Sequence, residues 1–208
     1  MSNPWLAIPL ADYEGHMQLP DVQQLAALSA LFARALHRVQ PASVTVLGIA
    51  GGNGLEQIDP KMTHRVIGLD VNSHYLESVR QRFISLPGLE LCQVDLAAEL
   101  PPLPHSELVH AALIFEHAGT DRCLDNAASL VAPLGALSVV LQVPGEAQHA
   151  VAPSPFPSMQ TLKSHFAIVD PAKLTESLRA NQFHLKEQTR VDLPGSKAFW
   201  FGLFCRLP

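Results

Sequence analysis

Four glycines fall within seven residues, Gly48-Ile49-Ala50-Gly51-Gly52-Asn53-Gly54, directly after the apolar run Val44-Thr45-Val46-Leu47. A β-branched run that breaks into glycines and resumes as Leu55-Glu56-Gln57-Ile58 reads as a buried strand, a tight turn and a helix N-terminus. Such a turn is suited to binding, because glycine admits positive φ and lets backbone N–H groups approach a ligand. Two carboxylates, Asp70 and Asp95, follow 22 and 47 residues beyond Gly48, each just after a short apolar run. A carboxylate so placed accepts charge-assisted hydrogen bonds from hydroxyl or amino groups. The bland alternatives are a turn that merely joins two elements, an Asp70 that caps the approach to the next helix beside Asn72 and Ser73, and an Asp95 that caps the turn at Leu96.

Three further groups carry chemistry-bearing side chains. Phe115-Glu116-His117 closes a fourth apolar run, and His117 there is either a general base or a residue that positions its loop. Asp12-Tyr13-Glu14-Gly15-His16-Met17 concentrates ionisable and aromatic groups near the N-terminus; it either folds over the site and supplies Tyr13 and His16 to a substrate pocket or is an exposed arm. The segment 144–170 carries His149 and Phe156 and is long and irregular enough to be a lid. The ten histidines and three cysteines fit no metal-ligand spacing, so no metal is expected.

The elements that must hold these residues alternate. A helix is expected over Asp21–Val39, with Leu25, Leu28, Phe32, Leu36 and Val39 as its stripe, after an irregular stretch to Pro20. Strands follow at Ser43–Leu47, Arg65–Asp70, Leu89–Val94, Leu108–Phe115 and Ala136–Val143. Helices are expected at Ser73–Leu86, Thr120–Ala132 and after Asp170-Pro171. The last two strands, Phe183–Val191 and Lys197–Arg206, make an antiparallel hairpin across Leu193-Pro194-Gly195-Ser196. This pattern implies an α/β class, doubly wound, with a mostly parallel seven-stranded sheet, helices on both faces and a terminal hairpin. Ligands in such sheets bind beyond the carboxyl ends of the strands, where the glycine turn, Asp70, Asp95 and Phe115 all fall.

Composition sets the outer limits. With 208 residues, 48% hydrophobic and 16% charged, the chain reads as one globular domain with an apolar core. A net charge of -5 argues against a broad phosphate-binding surface, hence against nucleic acid as partner. The first ten residues lack the pattern of a secretion signal and no run is long enough to span a membrane, so a cytoplasmic location is expected, with the cysteines reduced. Nothing in the sequence points to an oligomeric state.

Nucleotide fingerprints fit the turn poorly. Gly54 is followed by Leu55-Glu56 where a P-loop needs Lys-Ser/Thr, and Ala50 and Asn53 stand where a dinucleotide turn wants glycine. The stretch Val46 to Gly54 instead resembles the first motif of the class I S-adenosylmethionine-dependent methyltransferases, and the likeness extends over most of the chain. The resemblance implies S-adenosylmethionine as cofactor, its methionine part cradled by Gly48 to Gly54. It implies that Asp70 takes the ribose hydroxyls, and that Asp95 meets the adenine amino group with Val71 and Leu96 against the ring. It further implies that Phe115, Glu116 and His117 face the transferred methyl, with His117 and Glu116 as catalytic candidates. The chain departs from the family at Val46, usually acidic, and at Ala50, usually glycine. An Asn/Asp-Pro-Pro-aromatic signature of base and glutamine methylation is absent at Phe115 to Gly119, which favours a small-molecule acceptor. Two other readings are a non-catalytic binder of the same cofactor and a nucleotide-dependent enzyme of another α/β family.

Overall fold

A computed structural model describes residues 3–98, 100, 102–144, 154–194 and 197–208. Seven strands form one sheet: β1 (Ser43–Leu47), β2 (Arg65–Asp70), β3 (Leu89–Gln93), β4 (Ser106–Ala112), β5 (Val131–Val143), β6 (Phe183–Leu193) and β7 (Lys197–Arg206). Their order is β3-β2-β1-β4-β5-β7-β6. The first five strands pair in parallel; β7 inserts antiparallel between β5 and β6. The expected α/β sheet with its terminal hairpin is therefore present. The chain reverses direction on either side of β1, which opens a crevice at the carboxyl ends of β1 and β4.

Strand alternation divides the core in two. Val44 and Val46 of β1 join one apolar cluster and Leu47 the other; Phe199, Phe201 and Leu203 of β7 likewise oppose Phe204, as a period of two requires. Helices α2 (Gln24–Val39) and α3 (Ser73–Arg82) cover one face; α5 (Arg122–Ser129) and α6 (Pro171–Ala180) cover the other. Asn72 and Asp170 cap α3 and α6 by accepting from the His74 and Ala172 N–H groups at 2.9 Å.

Several boundaries differ from expectation, each for a local reason. The stretch before Pro20 is not irregular: Leu10–Met17 forms α1, entered through Pro9. Helix α2 starts at Gln24 and not Asp21, because Gln23 takes a left-handed backbone with φ 43°. After the glycine turn the expected helix reduces to one 3-10 turn, Leu55–Gln57. Glu56 folds back to accept the Gly54 N–H at 2.9 Å and the Ser29 hydroxyl at 2.7 Å, and Pro60 disfavours helix at Asp59. Strand β4 ends at Ala112, since Leu113 has φ 55°, and Phe115–Ala118 closes into the single turn α4. Strand β5 begins five residues earlier than expected, running through Pro133 and Gly135 as a bulge with Leu134 at φ 63°. In the proposed lid, Pro157–Ser164 is a 3-10 helix.

Candidate active site

Beyond the carboxyl ends of β1 to β4 lies a cavity of about 390 Å³. Its floor begins at Gly48, whose φ of +64° and contact with the Ile114 side chain, 2.9 Å from where a Cβ would stand, favour glycine. Ala50, also on the wall, adopts φ +46°. Gly51, Gly52, Asn53 and Gly54 lie behind the wall: the Gly51 carbonyl accepts from Arg82 at 3.2 Å and Asn53 donates to the Leu25 carbonyl at 3.0 Å. Ile49 is buried in the core and donates its N–H to Leu69. Val46 is buried beneath the same side of the sheet.

Asp70 is held rigidly at the end of β2. Its Oδ2 accepts the Ala50 N–H and its Oδ1 the Asn72 N–H, both at 2.9 Å. Burial pushes its pKa above the usual carboxylate value, against the pull of backbone hydrogen bonds from Asn72, Ala50 and Val71. Asp95 stands at the exposed rim and accepts the Ala97 N–H at 2.9 Å, so it caps its turn while also facing the cavity. Between the two acids the wall is apolar, formed by Val71, Val94 and Leu96.

The one-turn helix α4 sends its consecutive side chains in different directions, roughly 100° apart. Phe115 is fully buried in the core and does not reach the cavity, contrary to its expected place at the cofactor. Glu116 also stays off the wall: it is 1% exposed, with Oε1 accepting the Gln142 N–H at 2.7 Å. Burial raises its pKa to about 7, and Oε2 has no hydrogen-bond partner among the described residues. Of these three residues only His117 lines the cavity. Trp5 and Phe166 meet its ring edge-to-face at 4.9 and 5.4 Å between centroids. Burial, with a smaller contribution from His165, lowers its pKa to about 4, so the imidazole is neutral at pH 7.

The N-terminal segment roofs the cavity. Asn72 donates to the Trp5 carbonyl at 2.8 Å and the Tyr75 hydroxyl to the Ile8 carbonyl at 2.9 Å. Tyr13 and His16 of α1 both line the cavity. Burial, then the charges of Asp70 and Glu14, push the Tyr13 pKa up, so its hydroxyl keeps its proton. Phe156 does not line the cavity; it packs on Gly15 of α1 and braces the roof. His149 lies outside the described residues.

Sequence reasoning passed over Trp5, Gln24, Gln142 and Lys197, all on the wall. Trp5 had a signal, an aromatic residue beside the ionisable N-terminal cluster. The other three had none, because only sheet order and helix docking bring them to this edge. Among the described residues no group of three or more His, Cys, Asp or Glu could hold a metal ion, and no helix is long and apolar enough to cross a membrane.

No family model and no curated protein matches the sequence. Solved structures do match. The N-methyltransferase NodS from Bradyrhizobium japonicum WM9, in complex with S-adenosyl-L-homocysteine, aligns with a TM-score of 0.69 at 14% identity over 99% of each chain. Magnesium protoporphyrin IX methyltransferase from Synechocystis PCC 6803, with the same product bound, aligns with a TM-score of 0.63 at 14% identity over 88% of this chain and 82% of that one. The [4+2]-cyclase SpnF aligns with a TM-score of 0.69 at 15% identity over 91% and 83%. Strand order, hairpin insertion and these likenesses agree: the chain has the fold of the class I S-adenosylmethionine-dependent methyltransferases.

Proposed function

We propose that the protein transfers a methyl group from S-adenosylmethionine to a small-molecule acceptor. The observation that carries this reading is one roofed cavity joining two strand-end carboxylates to a chamber walled by His117, Tyr13 and Phe166. The residues fit the cofactor. Both oxygens of Asp70 are oriented by backbone N–H groups, and each keeps a second lone pair for a ribose hydroxyl. Asp95 at the rim offers acceptors to an amino group, with Val71 and Leu96 as apolar flanks for a flat ring. Gly48 gives the backbone close approach. When bound, the cofactor supplies a methyl group already activated on a sulfonium.

The chain's own contribution is then mainly placement. Holding two reactants in near-attack geometry is worth about 7–11 kcal/mol. An imidazole held near pKa 4 is a weak base at neutral pH, so His117, whose Nδ1 has no hydrogen-bond partner among the described residues, orients an acceptor hydroxyl or amine more than it removes a proton. Tyr13, kept protonated, is a donor. Glu116 supports this wall from behind, through the β5 backbone. A small acceptor suits a cavity narrowed by α1 and the 3-10 segment, which both contribute to its lining.

A second reading keeps the ligand and drops the transfer. Ala50 in a left-handed conformation and a cyclase among the structural neighbours favour it, since one fold hosts many chemistries. Isothermal titration of the chain with S-adenosylmethionine, S-adenosylhomocysteine and NAD tests the cofactor. Binding of the first two without NAD is expected; tight NAD binding with neither of the others overturns the reading. Transfer of a labelled methyl to an acceptor separates the enzyme from the binder.

A further inference from the structure

Past the end of β3 the sheet stops guiding the chain. β3 stands at the end of the strand order and pairs with β2 as far as Gln93, and the Val94 N–H still reaches the Asp70 carbonyl at 2.9 Å. Asp95 to Ala98 then form a turn: Asp95 Oδ1 accepts the Ala97 N–H at 2.9 Å and the Asp95 carbonyl accepts the Ala98 N–H at 3.0 Å. Asp95, Leu96 and Ala97 line the cavity. Because Asp95, Ala97 and Ala98 are exposed, these local bonds by themselves would leave the turn easy to open.

A single side chain of α5 (Arg122–Ser129) ties it down. Asn126 Nδ2 donates to the Leu96 carbonyl at 3.0 Å and to the Ala98 carbonyl at 2.8 Å, from 30 and 28 residues away along the chain. An amide nitrogen carries two hydrogens, and both go to this turn. Asparagine is a poor helix former, because its side chain favours caps and turns, yet here it stands inside a helix. Leu96 packs in the same apolar cluster as Cys123, Leu124 and Ala127 of α5. The charge of Asp95, after burial, raises the thiol of Cys123, one turn before Asn126. Packing, backbone bonds and charge thus set the turn and its carboxylate against one face of α5.

We propose that Asn126, which stays off the cavity wall, is a positioning residue for the adenine end of the cofactor. By holding the two carbonyls that flank Ala97 it fixes the direction in which Asp95 presents its carboxylate, and with it the preference for a ring that carries an amino group. The proposal rests on the S-adenosylmethionine reading of the cavity. Asp95 uses one acceptor site on Oδ1 within the turn and keeps others for a ligand. An amino group donates to such an oxygen, whereas a carbonyl at the same ring position sets acceptor against acceptor and leaves both unpaired. A carboxylate free to swing away would receive both rings alike.

Calorimetric titration of the full chain with S-adenosylhomocysteine and its deaminated analogue, S-inosylhomocysteine, tests this. The parent is expected to favour the amino compound by about tenfold or more, the worth of a hydrogen bond to a charged group. Asn126→Ala, which suits the helix better, and Asn126→Asp, which keeps the shape and removes the donors, should both bring that ratio below about threefold. In the ligand-free chain the same variants should exchange the Ala97 and Ala98 amides faster while β1 and β4 keep their protection. Asp95→Ala should lower the ratio as far, and adding Asn126→Ala to it should change the ratio no further, because the two residues act through one contact. A parent that binds the two compounds alike, a ratio that keeps the parental value in the Asn126 variants, or a further fall in the double variant would overturn the proposal. Should Asn126→Ala not fold, Asn126→Asp decides. A parent that binds neither compound would remove the cofactor reading and the proposal with it, whereas an unchanged ratio in variants of a parent that binds S-adenosylhomocysteine removes the proposal alone.

Discussion

Ala50 holds a left-handed backbone, φ +46°, that L-residues other than glycine avoid at a cost of roughly 1–2 kcal/mol. The conformation aims its N–H at Asp70 Oδ2, 2.9 Å away, so strain in the turn and orientation of the carboxylate are one arrangement. Ala50→Gly relieves the strain and gives back part of the gain as unfolded-state entropy. The expected net is a stabilisation of roughly 0.5 kcal/mol, read from urea unfolding; a destabilised variant would show that the alanine methyl contributes packing that outweighs the strain. The carboxylates themselves were legible in the sequence, since both close apolar runs. The directions of Phe115, Glu116 and His117 were not. Three adjacent residues read as a strand end alternate between two faces, whereas the single turn α4 spreads them over three, and only His117 reaches the cavity.

Helix α1 is an element that tertiary contacts create. Eight residues are too few to be stable as an isolated helix, and the packing of Met17 and Tyr13 on the α2 side of the core supplies what propensity does not. Polar links add direction: Arg82 of α3 pairs with Glu14, one contact measuring 2.9 Å, and also donates to the Gly51 carbonyl. The Ser158 hydroxyl donates to Asp12 at 2.6 Å, tying the 3-10 segment to the same helix. The half-exposed Arg82–Glu14 pair contributes little to global stability, under about 1 kcal/mol, but it sits between the roof and the glycine turn. Arg82→Ala should therefore speed amide exchange across residues 10–17 while β1 and β4 keep their protection. Equal loss in the sheet would mean the pair serves the whole fold and not the roof. Reading the N-terminus as irregular failed for this reason: its partners, Arg82 and Ser158, are 68 and 146 residues away along the chain.

Across the molecule, burial of ionisable groups sets how stability varies with pH. His110, stacked on Phe32 and bonded to Ser138 at 2.7 Å, is lowered to about 3 by burial, and His117 to about 4. Both bind protons near 6.5 once unfolded, so unfolding takes up protons and stability falls as pH drops below about 6.5, by about 1.4 kcal/mol per unit for each group. Glu116 has the opposite sign. Its carboxyl is raised to about 7 when folded, so its contribution is full below about 4.5 and is lost as pH rises through 7. Glu116→Gln keeps an acceptor for the Gln142 N–H and removes the ionisation. The variant should exceed the parent in stability at pH 8 by about 1–3 kcal/mol, relative to any difference between them at pH 4.5. Urea unfolding at the two pH values measures this, and a pH-independent difference would contradict the burial of the charge. By itself the sequence determined the strand-turn-acid series, the parallel sheet with its terminal hairpin and the sheet edge where the cavity lies, because period-two apolar runs, glycines and caps act over a few residues. Tertiary structure alone decided which side chains share the cavity: α1 over the glycine turn, His117 and not Phe115 or Glu116 at its wall, and Lys197 within the field of His16. Those meetings depend on strand order and helix docking, which join residues more than a hundred positions apart and leave no trace in local spacing.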